Sequence, residues 1–123
     1  MDFNVVVLSG RLAAPPELRE FESGSRLVRS LVTVRSDTPR RRVDVVPVTL
    51  WDPDPDAAIL GASVGDGVWV AAAVQRRFWT ETERRMSRLE IVARDIEVRR
   101  PSDSGAIAPP DTVLFERLLR CVE

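Results

Sequence analysis

Residues 67–98, GVWVAAAVQRRFWTETERRMSRLEIVARDIEV, decide the fold. Val68, Val70, Ala72 and Val74 recur at a spacing of two, the period of a half-buried strand. Trp69, Ala71, Ala73, Gln75, Arg77 and Trp79 fall on the opposite face. The second half alternates less cleanly, yet Leu89, Ile91 and Ala93 separate from the mixed series Met86, Arg88, Glu90 and Val92. This is the pattern of two long strands joined by a polar turn. Residues 80–85 contain neither Gly nor Pro, so a tight primed turn is not expected, and a longer, flexible tip carrying Arg84 and Arg85 is. An outward Trp among arginines marks this hairpin as the place to look for function.

Working outward, residues 3–12 read as a β-branched strand, with a bulge or bend expected at Gly10. Pro15-Pro16 breaks it, and a short extension over residues 20–22 leads to the turn Ser23-Gly24-Ser25. Residues 26–35 form the next strand, with Val28, Ser30, Val32 and Val34 on one face and Leu27, Arg29, Leu31, Thr33 and Arg35 on the other. Residues 43–51 follow, Val46, Val48 and Leu50 facing one way and Val45, Pro47, Thr49 and Trp51 the other. Pro47 cannot donate to a ladder, which puts it at an edge or a bulge. Asp54 or Asp56 is positioned to cap a short helix that Gly61 closes. After residue 100 a Ser/Pro-rich linker precedes an amphipathic segment in which Val113, Leu114, Leu118 and Val122 share helical spacing. The chain therefore divides into a barrel domain, residues 1–100, and a linker with a short C-terminal helix, residues 101–123. Five strands with a helix between the third and fourth fit an all-β, five-stranded Greek-key barrel, the OB-fold.

Composition narrows the function. The 123 residues suffice for one core, and 44% apolar with 30% charged residues is ordinary for a globular protein. No apolar run reaches membrane-helix length, and the N-terminus lacks the marks of a signal peptide. One Cys and no His exclude an intramolecular disulfide, make a zinc site improbable and remove Ser-His and Cys-His catalysis. The expectation is a cytoplasmic, non-enzymatic protein with no cofactor, no metal and no membrane association. Net charge is −1, yet all 18 basic residues are Arg. Codon usage accounts for that choice; whatever its origin, guanidinium supplies bidentate phosphate contacts and stacks on bases.

Several runs resemble the bacterial single-stranded DNA-binding protein family in order. They are NVVVLSGRL from Asn4, PELR from Pro16, LVRSLVT from Leu27, VTLW from Val48, GDGVWV from Gly65, RFW from Arg77 and LEIVA from Leu89. The resemblance covers roughly residues 3–99. It implies an OB domain that binds single-stranded DNA without sequence preference in replication or repair, and a homo-oligomer, dimer or tetramer, that pairs first strands across an interface. It implies base stacking on Trp79 and Trp51, while Val45 stands where the family has another stacking Trp and Val46 where it has an interface His. Residues 36–42 are shorter than the family's wrapping loop, and the C-terminus lacks its acidic tip, as in a divergent or accessory member. Arg11, Arg29, Arg35, Arg41, Arg77, Arg84 and Arg88 are the candidate phosphate contacts, about half of them expected to engage. Alternatives stay open: Trp79 packs on a neighbouring subunit, Trp51 lies under the short helix or at an interface, Trp69 sits at a subunit interface or beneath the terminal helix, and the arginines pair with nearby carboxylates. The competing function is an oligomeric OB adaptor in a replication or repair complex that has largely lost strand binding.

Overall fold

A computed structural model describes residues 2–101 and Glu116. Six strands run in the order β1 (Val6–Leu12), β2 (Glu17–Glu20), β3 (Arg26–Ser36), β4 (Arg42–Trp51), β5 (Gly67–Glu81) and β6 (Arg84–Arg99). They form one sheet in the order β1-β5-β6-β4-β3-β2, and an added β1–β3 pairing closes five of them into the anticipated barrel. The sixth, β2, continues along the edge of β3 that the end of β1 begins. Leu12 opposes Val32, the Ala13 amide donates to the Leu31 carbonyl at 2.8 Å, and Glu17 opposes Arg29. The Pro15-Pro16 break thus splits one long edge into two strands. The short strand expected at residues 20–22 lies instead at Glu17–Glu20, because Phe21 opens the turn: its amide donates to the Ser25 carbonyl and its carbonyl accepts from Gly24.

The core follows the alternation. Val28, Val32, Val48, Val68, Val70 and Ala72 are buried, and Val34, Val46 and Leu50 pack against them. The uneven alternation of β6 has a mechanical cause. Ala71 opposes Asp95 while Ala72 opposes Ala93, so Arg94 is an extra residue and the parity flips across it. Ile91 and Ala93 face the core before this bulge, Ile96 and Val98 after it. Gly10 is not a bulge, since its register with Val68 is regular. It is a close approach: a Cβ there would collide with the Thr33 carbonyl, and Val32 Cγ1 would be 3.0 Å away. Pro47 lies on the part of β4 that β6 leaves unpaired, as an edge proline should. The β4–β6 pairing is parallel and has only two rungs, Val48 to Ile91 and Thr49 to Val92.

Two further local expectations fail. The helix is a single 3-10 turn, Ala58–Gly61, lying between β4 and β5 once β2 is counted, and its cap is Ala57 with no side-chain hydrogen bond. Neither Asp54 nor Asp56 caps it. The cluster's working carboxylate is Asp52, whose Oδ1 accepts the Arg26 amide at 2.9 Å and ends the β3–β4 ladder. The hairpin tip is also not a long flexible loop. Glu81 opposes Arg84, leaving a two-residue turn with Thr82 at φ 51° and Glu83 at φ 63°. Two positive φ values are the signature of a type I′ turn, whose twist matches that of the flanking strands. The long ladder imposes it on residues that would not choose it. The expected linker and C-terminal helix lie outside the described residues, Glu116 apart. No helix among the described residues is long and apolar enough to cross a membrane.

Candidate nucleic-acid interface

β1 pairs with β5 only as far as Ala72, and β4 pairs with β6 only at Ile91 and Val92. Beyond Val74 and Ile91 the two strands pair with each other alone, as a ribbon that extends about 24 Å past the barrel at ~3.4 Å per residue. Asn4 fixes its root. The side-chain amide donates from Nδ2 to the Val74 carbonyl at 2.7 Å and accepts the Val74 amide on Oδ1 at 2.8 Å, replacing a missing strand rung.

Directly opposed residues share a face. Gln75 with Glu90, Arg77 with Arg88, and Trp79 with Met86 therefore form one face of the ribbon. On it, Arg77 Nη1 and Arg88 Nη2 donate to the same Glu90 oxygen, at 3.3 and 3.2 Å. The Arg88 guanidinium also lies 5.8 Å from the Trp79 ring centroid. Arg77, Trp79 and Arg88 line a concavity of about 290 Å³. Arg88 and Glu90 also border a second, about 150 Å³, whose far wall is Arg29, Pro47 and Thr49. Arg29 in turn borders a third, about 260 Å³, with Ala14, Pro15 and Glu17. Shared members join the three into one groove across β3, β4 and β6. The registers explain it: Arg29 opposes Thr49, and Thr49 opposes Val92. Three guanidiniums face two carboxylates along this path.

Trp51 lies on the same outward face, two residues past Thr49, and is 39% exposed. It stacks on Phe21 with centroids 5.8 Å apart and planes at 30°. Sequence reasoning missed Phe21, because the contact depends on β2, β3 and β4 aligning Arg19, Leu27 and Trp51. It also missed Glu90 as the shared acceptor. The structure does not bring the two candidate tryptophans together. Register places Met86, opposite Trp79, level with Val43, eight residues from Trp51 and so roughly 25 Å along the strands.

The remaining arginines divide. Arg11 and Arg35 border a separate cavity of about 400 Å³ with Ser9 and Thr33, on the outward side of β1 and β3. Arg41 stands on the β3–β4 connection with its Nε 3.8 Å from Asp37 Oδ1, both side chains almost fully exposed. Arg84 opens β6 opposite Glu81 at the ribbon tip. Val45, at the position of the missing family Trp, is exposed on the groove face and offers no ring. Trp69 is half-buried within the barrel wall, opposite Ser9 and Glu97.

The sequence is 27% identical over 94 residues to Single-stranded DNA-binding protein 1 of Nostoc sp., a match covering 76% of this chain and 79% of that protein. The same figures hold for the Single-stranded DNA-binding protein of Anabaena variabilis. Among solved structures, the Plasmodium falciparum SSB complex with ssDNA is similar with a TM-score of 0.66 and 16% identity, over 80% of this chain and 96% of that one. The wild-type single-stranded DNA-binding protein of Thermus aquaticus is similar with a TM-score of 0.69 and 19% identity, over 78% of this chain and 50% of that one. At such identities the two structures speak for the fold. The profile of the single-strand binding protein family spans residues 3–99, the entire barrel and its ribbon, and the chain belongs to that family.

Proposed function

We propose that this protein binds single-stranded DNA without sequence preference in the groove from the Phe21–Trp51 stack, past Arg29, to Arg77, Trp79 and Arg88. The observation that carries the reading is the ribbon itself. It places a Trp and two arginines beyond the barrel, where the fold has no core for them to fill. Stacking accepts any base because every base has a π-face, and it contributes about 1–3 kcal/mol per base. Two tryptophans then supply roughly 2–6 kcal/mol, and phosphate contacts bring the affinity into the micromolar range. If about half of the seven candidate arginines meet phosphates, log Kd rises with log salt at a slope of about 2–3, at ~0.7 per phosphate.

Titrating the intrinsic Trp fluorescence with oligo-dT at low salt tests the reading. Quenching and a mobility shift that fade as salt rises are expected; neither appearing at low salt overturns it. Binding is assigned to residues 1–100, with residues 101–123 as an appended linker and helix, and the setting is cytoplasmic replication or repair. Self-association is part of the proposal. Val7 on β1 and Phe3 and Val5 just before it are exposed, and among the described residues the second edge of β1 is unpaired before Arg11, a surface suited to a further copy. Light scattering should give a dimer or tetramer; a monomer at micromolar concentration removes that part.

A further inference from the structure

The groove uses one face of the ribbon and leaves the other unaccounted for. There, Arg76 opposes Leu89, Phe78 opposes Ser87, and Thr80 opposes Arg85. This face continues the core-facing series of Val74 and Ile91, but past the barrel no described strand lies beneath it. A two-stranded ribbon has no core of its own. Phe78 is 53% and Leu89 61% exposed, an apolar surface outside the barrel core of the described residues.

The side chains repeat the arrangement of the groove face. An arginine two residues before the ring, Arg76 here and Arg77 there, flanks it on the barrel side. A second arginine from β6 lies over the ring: the Arg85 guanidinium is 4.7 Å from the Phe78 centroid, as Arg88 is 5.8 Å from that of Trp79. Arg76 Nη1 donates to Ser87 Oγ at 3.2 Å, which draws it toward Phe78's partner position. One difference matters. The groove face carries Glu90 between its arginines, whereas the residues paired on this face, from Arg76 to Thr80 and Arg85 to Leu89, include no carboxylate. Aromatic rings and Arg also mark protein interfaces, and the arginine laid over the ring on each side of the ribbon is what favours nucleic acid here. An exposed ring between two arginines without an acid suits a polyanion with π-faces.

We infer that the Phe78 face is a second base-stacking site for single-stranded DNA, with Arg76 and Arg85 on the flanking phosphates, so that one strand leaves the groove and continues onto the reverse of the ribbon. The inference rests on the proposed function, and strand length separates the two. An oligo-dT of about 8 nucleotides fills the groove alone, while one of about 35 also reaches the reverse face, given site sizes of roughly 4–16 nucleotides per barrel.

The test uses the full chain with Phe78→Ala and Phe78→Trp, each titrated with both lengths, and light scattering of every variant. Phe78→Ala is expected to weaken the long oligonucleotide roughly tenfold and leave the short one unchanged. Phe78→Trp is expected to restore affinity and add quenching only with the long strand. Unchanged affinity at both lengths overturns the second site. Equal losses at both lengths also overturn it, since Phe78 then belongs to the groove. A change of oligomeric mass without a change in long-strand affinity overturns it in favour of a subunit interface. Failure of the unaltered protein to bind either length overturns the proposed function, and this site with it.

Discussion

Two guanidiniums converge on one oxygen of Glu90, a side chain only 11% exposed, at the point where a phosphate would want them. Glu90 holds Arg77 and Arg88 in place and, on the proposed placement, would compete with a bound phosphate. A charge about 6 Å from a phosphate in water costs roughly 0.7 kcal/mol. Glu90→Gln keeps an acceptor and removes that charge, so oligo-dT should bind about threefold tighter at low salt. Weaker binding would mean that placing the arginines outweighs the competition. The tryptophans separate similarly. Trp79→Ala removes a ring over the groove and should cost about tenfold in affinity, whereas Trp69→Ala, in the barrel wall, should cost far less. Equal losses in a fluorescence-independent assay such as anisotropy would contradict this placement.

At the scale of elements, the ribbon turn carries a measurable cost. Each non-glycine residue in the left-handed region gives up about 1–2 kcal/mol, and both Thr82 and Glu83 are there. Thr82→Asn with Glu83→Gly suits the same geometry and should slow amide exchange along residues 75–90 by about fivefold or more, the equivalent of about 1 kcal/mol. Unaltered exchange would show that the turn is not strained. This turn also shows where sequence reading stops. Val46, Val48 and Leu50 could be assigned to the core from their spacing alone, because burial on one face of a strand writes itself into alternate residues. The turn could not be recognised, since its conformation is forced by fifteen paired positions on either side rather than chosen by Thr82 and Glu83. The Arg94 bulge reads as noise until the pairing shows that the parity flips. Trp79, Arg77 and Arg88 were legible as a site because a hairpin brings near neighbours together. Phe21 on Trp51 was not, because thirty residues and two strand registers separate the rings.

Across the whole molecule, the barrel is closed unevenly. β5 and β6 pair along fifteen positions, yet β4 and β6 meet at two, in the parallel arrangement that is slightly weaker per residue. The middle of the groove lies over this seam, with Pro47 and Thr49 on one lip and Arg88 and Glu90 on the other. A strand in the proposed groove would therefore span the joint and work as a clasp. Opening the seam must first release the strand, so occupancy and closure are thermodynamically linked. At a ligand concentration one hundred times Kd the linkage reaches about 2.7 kcal/mol. Amides flanking Val48 and Ile91 should then exchange up to about a hundredfold more slowly with oligo-dT bound, while local opening between β1 and β5 changes little. Uniform slowing across the barrel would argue against a clasp. On the proposed placement, a two-rung joint of the barrel would be held shut by its own cargo.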